Sequence, residues 1–220
     1  MCYTTQAQQD MEKLARNEQK ILQAAIDFKQ RVELSGFAHP MLPVCISEET
    51  KVIQPMRWGL IPFWVKTEHE AQQIANKTLN ARAETIFKLP SFRSISKRRC
   101  LIYVSGFYEW QHRGKEKIKY LIKVKDAEYF ALGGLYDEWV NPSTGEVIKA
   151  FSIITCEANP LMAEIHNEKK RMPFILEHTE QENWINPDST KEQIAAQIKQ
   201  FPQEKMVAEE FLKEKPLSLF

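Results

Sequence analysis

The segment between residues 100 and 155 most constrains the fold, because it reads as a series of strands joined by short turns. Apolar or alternating runs predict strands at Cys100–Val104, Ile118–Val124, Tyr129–Leu132 and Ala150–Thr155. Turn-forming residues occupy positions 112–115 (HRGK) and 141–145 (NPSTG). Strands joined mainly by turns favour an antiparallel sheet.

Helices are predicted towards the two ends of the chain. Apolar residues recur at helical spacing near the start, at Leu14, Ile21, Leu22, Ala25 and Ile26. This spacing predicts one amphipathic helix over about residues 8–32. Short helices are predicted at 160–165, 180–185 and 191–200. We therefore expect an α+β fold, with an antiparallel, partly barrel-like sheet and peripheral helices.

The chain is expected to form a single domain over residues 1–220. A length of 220 residues with 43% hydrophobic content can bury a sizeable core. The seven glycines and eleven prolines are scattered, and neither a repeat nor a low-complexity run marks a linker. The start lacks a basic region followed by an apolar stretch, and no window approaches the length of a membrane span. We expect a monomer located in the cytoplasm.

The cysteines do not predict a metal site. Cys2, Cys45, Cys100 and Cys156 lie more than forty residues apart, without a Cys-x-x-Cys pair or a histidine at ligand spacing. Neither a zinc site nor a disulfide framework is expected, and no cofactor is predicted.

Positive charge is concentrated in one part of the chain. Residues 88–125 carry a net charge of +9, and the remainder carries −8. Aromatic residues are interleaved with these lysines and arginines, a combination that suits a groove for a phosphate backbone. The alternative is a pair of strands with lysines facing outward and apolar residues facing inward.

Cys2 directly follows the initiator methionine. Removal of Met1 would leave a 1,2-aminothiol, in which the amine and the thiol can both add to one aldehyde carbon and close a thiazolidine ring. An α-amine has a reference pKa of about 8, against about 10.4 for lysine, so about a tenth of it is unprotonated at pH 7. The alternative is that a cysteine at position 2 is incidental.

Four separated motifs accompany Cys2. They are RWGLIPFW at 57–64, NARAET at 80–85, RCLI at 99–102 running into GFYEW at 106–110, and Ile165–His166 with RMP at 171–173. In this order the chain resembles the SOS response-associated peptidase (SRAP) family over about residues 2–176. The resemblance implies a sensor of abasic sites that crosslinks itself to single-stranded DNA during the DNA damage response, and hence a place at damaged DNA in the nucleoid. The family name records an older proposal of protease activity.

The resemblance also implies a catalytic set. Cys2 would be the covalent residue, and Glu109, which follows an apolar strand, would be the general acid and base. His166 would protonate or orient the sugar oxygen that is released as the ring opens. Asn80 would hold the deoxyribose remnant. A Glu109 that merely pairs with arginine, a structural His166 and an Asn80 that only caps a local turn are the alternatives.

Four further residues are DNA-binding candidates. Arg82 suits a phosphate oxygen beside the lesion, or else acts as a local cap. Trp58 and Trp64 could stack on bases, but each is equally suited to the core. Pro40 aligns with a family proline near the reactive terminus, or only shapes a loop.

The sequence departs from the family at several points, and two other classes of function remain open. Tyr3–Thr4 follow Cys2 where the family commonly has Gly-Arg, and residues 167–170 separate His166 from Arg171. One rival is a cysteine-type peptidase or a self-processing N-terminal hydrolase, with Cys2 as nucleophile and His166 as base. The other is a non-covalent single-strand binder that uses the basic segment.

Overall fold

The structure is a computed structural model that describes residues 2–7, 10–23 and 33–211. Its strands are β1 (Thr4–Gln6), β2 (Ile21–Leu22), β3 (Glu33–Ser35), β4 (Met41–Ile46), β5 (Glu49–Trp58), β6 (Asn80–Arg82), β7 (Arg99–Val104), β8 (Gly106–Arg113), β9 (Glu116–Val124), β10 (Phe130–Val140), β11 (Val147–Glu157), β12 (Arg171–Pro173), β13 (Ile175–Leu176) and β14 (Met206–Glu210). Its α-helices are α1 (Met11–Asn17), α2 (Glu68–Lys77), α3 (Pro90–Arg93), α4 (Pro160–Ile165), α5 (His178–Trp184) and α6 (Lys191–Gln197).

Five strands form a closed barrel in the order β11-β10-β7-β4-β5. Neighbouring strands are antiparallel except at the closure, where β5 pairs in parallel with β11 and Trp58 lies opposite Phe151. The closing pair involves only Arg57 and Trp58 of β5, so the earlier part of β5 keeps an open edge. The predicted antiparallel, partly barrel-like sheet with peripheral helices is therefore confirmed.

A second, antiparallel sheet has the strand order β14-β9-β8-β1-β3. Strand β1 lies between β3 and β8, and its register with β8 places Thr4 opposite Tyr108 and Gln6 opposite Gly106. The same register continued by one residue brings Tyr3 opposite Glu109. Strand pairing thus carries the start of the chain onto the GFYEW strand.

The helix predicted over residues 8–32 is wrong at Ile21 and Leu22. Helix α1 ends at Asn17, and Gln19 then adopts a left-handed conformation with φ of 53° that no helix can continue. Ile21 and Leu22 form β2, which pairs in parallel with β5. Hydrogen bonding to an open strand edge therefore overrides the helical spacing. The predicted positions Ala25 and Ile26 lie outside the described residues.

The other predicted elements differ from the structure only at their ends. The strands predicted at 100–104, 118–124, 129–132 and 150–155 correspond to β7, β9, β10 and β11, with some longer. The helix predicted at 160–165 is α4 as observed. Helix α5 begins at His178, and α6 ends at Gln197 because Ile198 is already extended. Within the described ranges, no helix is both long enough and apolar enough to cross a membrane.

Several cations of the basic segment are hydrogen-bonded or ion-paired within the protein, some in its interior and some at its surface. Arg99 is fully buried and donates to backbone carbonyls, including Trp184 O at 2.6 Å. Arg98 Nη1 lies 2.6 Å from Asp137 Oδ1. Other pairs are Lys119 with Glu33 and Lys123 with Glu209. A single phosphate groove made by this segment is therefore not supported, and the alternative of outward lysines on a strand pair describes β8 and β9 better.

Candidate active site

Cys2 lies fully buried at the entry to β1. Asn80 Nδ2 donates a hydrogen bond to Cys2 O over 2.8 Å, and the cysteine Sγ lies 4.0 Å from Thr4 O. Strand β6 holds Asn80 by pairing in parallel with β11, where Asn80 lies opposite Ile153. The Asn80 amide thus holds the backbone of Cys2, two residues before β1 begins. Asn80 Oδ1 is buried and receives no hydrogen bond from the described residues.

Glu109 brings a buried carboxyl to the same place. It lies on β8, is only 4% exposed, and has a pKa raised to about 7, because burial disfavours the charged form. The positive charge of the amino terminus opposes this effect only in part. Near neutral pH the carboxyl can therefore both accept and donate a proton.

His166 faces Glu109 from the end of α4. Its Nε2 lies 3.9 Å from Glu109 Oε2, and its Nδ1 lies 2.8 Å from Arg171 O. A carbonyl can only accept, so this contact favours the tautomer with hydrogen on Nδ1 and leaves Nε2 towards Glu109. Burial lowers the pKa of His166 below its usual range.

The loop at 167–170, which departs from the family pattern, forms a tight turn that keeps His166 in place. Lys170 N donates to His166 O over 2.8 Å, and Lys170 has a φ of 47°. Arg171 then enters β12, where its guanidinium donates to Glu84 and, over 2.5 Å, to Thr155 O. Glu84 and Thr155 therefore position Arg171, whose carbonyl positions the imidazole. Glu84 and Arg171 fall inside the quoted motifs, but no role was predicted for them.

Two exposed cations flank the buried groups. Arg82 lies at the end of β6, and its charge acts on Tyr3 and Glu84. The charge of Lys169 acts on both Glu109 and His166. The site is thus a buried carboxyl with positive charge around it. Lys169 was not predicted, because nothing in its sequence context distinguishes it from other surface lysines.

The predicted aromatic and proline candidates separate into different environments. Trp58 is fully buried, stacks on Phe151 with centroids 6.3 Å apart, and donates from Nε1 to Leu79 O over 2.9 Å. This burial fits the interpretation of Trp58 as a core residue, whereas stacking on bases would require the indole to be exposed. Trp64 is 43% exposed and remains accessible. Pro40 accepts a hydrogen bond from Trp58 N at its carbonyl over 2.9 Å, and so shapes the loop beside that side chain.

Cys45, Cys100 and Cys156 do not take part in this arrangement. All three are buried free thiols, and burial raises the pKa of each, to about 11 for Cys45 and to about 12 for Cys156. Burial also raises the pKa of the Cys2 thiol, with the Glu109 carboxylate adding to the effect. The Cys2 thiol is therefore no more acidic than the others, and what distinguishes Cys2 is its place next to the amino terminus.

A closed barrel carrying a buried Cys-Asn-Glu-His site at the amino terminus defines the class of this protein. The family model described as "SOS response associated peptidase (SRAP)" matches residues 1–214, and the chain belongs to this family. The resemblance inferred from the motifs is thereby confirmed.

The relatives have names that refer to abasic sites. Abasic site processing protein YoqW of Bacillus subtilis (strain 168) is 43% identical over 137 residues, which cover 61% of this chain and 58% of the relative. Abasic site processing protein HMCES of Gallus gallus is 32% identical over 157 residues, which cover 62% of this chain and 46% of the relative. The chain thus matches about half of the length of these relatives, 58% of YoqW and 46% of HMCES.

Solved structures share the fold. The crystal structure of a protein from Bacteroides thetaiotaomicron has a TM-score of 0.90 at 39% identity and covers 96% of this chain and 92% of its own. A Bordetella bronchiseptica protein has a TM-score of 0.82 at 23% identity, with 96% and 100% coverage, a likeness of fold alone.

Proposed function

We propose that this chain, once Met1 is removed, captures abasic sites in single-stranded DNA through a covalent bond to Cys2. The observation that carries this proposal is the convergence of Cys2, Asn80, Glu109 and His166 on one buried site. These residues come from four separate elements, and their chemistries complement one another. The relatives named abasic site processing proteins point to the same substrate.

The reaction joins one aldehyde to one aminothiol and releases one water molecule. The α-amine of Cys2 adds to C1′ of the open-chain deoxyribose, and loss of water gives an imine. The thiol sulfur then adds to the imine carbon while its proton moves to the nitrogen, which closes a thiazolidine. Because burial keeps the thiol protonated, the amine reacts first and the sulfur second.

The neighbouring groups handle the protons and orient the sugar. Glu109, with a pKa of about 7, takes a proton from the attacking amine and returns one to the departing water. His166 Nε2 lies beside this carboxyl and protonates or orients the sugar oxygen that is released as the furanose ring opens. Asn80 fixes the Cys2 carbonyl through Nδ2, which leaves its buried Oδ1 to accept a sugar hydroxyl.

A single strand suits this site better than a duplex. Cys2 is fully buried, so the lesion sugar must leave the base stack to reach it, and an unpaired strand allows this at low cost. Arg82 and Lys169 would contact the phosphates on either side. The exposed Trp64 would stack on a nearby base.

The same geometry disfavours a cysteine peptidase. A peptidase nucleophile needs a thiolate, and hence a lowered thiol pKa, whereas burial and Glu109 raise the pKa of Cys2. His166, the required base, instead lies against the Glu109 carboxyl. A thiazolidine needs no preformed thiolate, because the attacking sulfur can lose its proton as the ring closes.

The decisive experiment compares the processed protein with one that carries an extra residue before Cys2. An amide at this position cannot form an imine, so the extended protein should give no stable adduct although its thiol is intact. A C-terminal tag serves as the matched control and should be harmless. Intact mass verifies the removal of Met1, and adducts with an abasic oligonucleotide are quantified on denaturing gels. Equal rates and equal durability for both proteins would refute the aminothiol mechanism.

Alanine substitutions of the four cysteines identify which sulfur forms the adduct. Cys2→Ala should leave at most a labile imine, whereas Cys45→Ala, Cys100→Ala and Cys156→Ala should retain the crosslink. A stable, full-yield adduct from Cys2→Ala would exclude the thiazolidine. The absence of a denaturant-resistant band from the native protein would leave only non-covalent binding.

A further inference from the structure

An aromatic pair, Tyr3 and Phe37, lies next to the candidate active site. Tyr3 directly follows Cys2, and the ring centroids of Tyr3 and Phe37 are 5.1 Å apart with planes inclined by 35°. Phe37 is 56% exposed, and Tyr3 is half-buried. A single exposed phenylalanine is ordinary on a protein surface. Phe37 differs from such a residue in two respects: its turn is anchored by several contacts, and charged groups act on the neighbouring Tyr3.

The turn that carries Phe37 is anchored at several points. Gly36 N donates to Tyr3 O over 2.8 Å, and His39, with φ of 48°, has its Nδ1 2.8 Å from Trp58 O. Gly36 approaches the buried Trp58 so closely that a Cβ there would lie 3.1 Å from the indole ring. The exposed ring thus stands on backbone tied to the core. A fixed surface of this kind loses little conformational entropy when a ligand stacks on it.

Charges of both signs act on Tyr3. Burial raises the pKa of the Tyr3 hydroxyl, the charge of Glu109 raises it further, and the charge of Arg82 lowers it. Glu109, the proposed proton shuttle, and Arg82, the proposed phosphate ligand, are therefore close enough for their charges to act on Tyr3. An aromatic face beside a cation suits a nucleotide, whose base stacks while its phosphate pairs with the positive charge.

We propose that Tyr3 and Phe37 form the platform on which the base next to the abasic site stacks while Cys2 reacts with the lesion sugar. This inference rests on the proposed function and specifies the DNA it selects. Tyr3 directly follows Cys2 and contacts Phe37, so a base next to a lesion held at Cys2 would lie near this pair. Because stacking grows with the area of the base, purines beside the lesion are captured faster than pyrimidines, and a neighbour without a base is captured slowest.

The test varies the protein and the neighbouring base together. Single-stranded oligonucleotides carry one abasic site flanked by adenines, by thymines or by baseless tetrahydrofuran spacers. The native protein, Phe37→Ala and Phe37→Tyr are compared by the second-order rate of stable adduct formation at low DNA concentration. Phe211→Ala is the matched control, since Phe211 is 51% exposed and packs edge-on against Tyr108 rather than against Tyr3.

The native protein should favour adenine over the spacer by about 5- to 100-fold, the range that one stacked base supplies. Phe37→Ala should lose most of this preference, whereas Phe37→Tyr and Phe211→Ala should keep it. Circular dichroism verifies that all the proteins are folded. If Phe37→Ala reacts but still distinguishes adenine from the spacer as the native protein does, the platform is refuted. An equal loss of rate on all three oligonucleotides also refutes it, because Phe37 would then only support Cys2. If the native protein forms no adduct with any oligonucleotide, the proposed function itself fails.

Discussion

Replacement of Glu109 by glutamine should make the protein more stable and less active. Burial raises the pKa of this carboxyl from 4.5 to about 7, so between these values the folded state holds a proton that the unfolded state has lost. The free energy of unfolding of the native protein therefore falls as the pH rises through this window. Above the window, the ionisation of Glu109 causes no further change in this free energy. The difference between 4.5 and about 7 corresponds to about 3 kcal/mol, at 1.36 kcal/mol for each pKa unit.

Glu109→Gln removes this ionisation while keeping the shape of the side chain. The variant and the native protein should have similar unfolding free energies at pH 4, where the carboxyl is neutral in both states. At pH 8 the variant should be more stable by up to about 3 kcal/mol. The same variant should lose both the rate of adduct formation and the part of the pH–rate profile centred near 7, because no proton shuttle remains.

The assay is urea unfolding followed by tryptophan fluorescence at intervals between pH 4 and pH 8.5, with adduct formation measured on the same samples. Glu164→Gln is the matched control, an exposed carboxylate on α4 whose removal should change neither quantity. A stability difference between Glu109→Gln and the native protein that does not vary with pH would refute the reasoning. So would a variant that is less stable than the native protein at pH 8.

Three further changes test the surroundings of the site. Arg82→Ala should weaken non-covalent capture by about 1 to 3 kcal/mol and flatten its salt dependence, and unchanged binding in a salt titration would assign Arg82 to structure. Glu84→Gln should cost less than about 1 kcal/mol of stability, since the ion pair between Glu84 and Arg171 is half exposed. It should nevertheless alter the pH–rate profile, because Arg171 positions the His166 imidazole. An unaltered profile would contradict this positioning role. Trp58→Ala should cost about 3 to 5 kcal/mol in thermal or urea unfolding, because this side chain is buried. Trp64→Ala should weaken DNA capture and leave stability nearly unchanged, because this side chain is exposed. The reverse pattern would contradict this difference in burial.

The sequence by itself determined the elements and residues whose signals are local. The strands at β7, β9, β10 and β11 follow from runs of apolar residues, and α4 follows from a proline at its start and its apolar spacing. The motifs with Cys2 identified the family, because their residue types and their order depend on no neighbour in space. The chemistry proposed for Cys2 likewise follows from its position after Met1 and from the nature of an aminothiol.

Only the tertiary structure decided which side chains are buried and which ones meet. Ile21 fits a helix by spacing but pairs with β5, because an open strand edge is available there. Trp58 and Trp64 belong to one motif, yet barrel closure buries the first and leaves the second exposed. The pKa of Glu109 and the orientation of His166 depend on burial and on contacts between residues far apart in the chain. Such contacts arise when distant strands pair, so no local pattern of residues can reveal them.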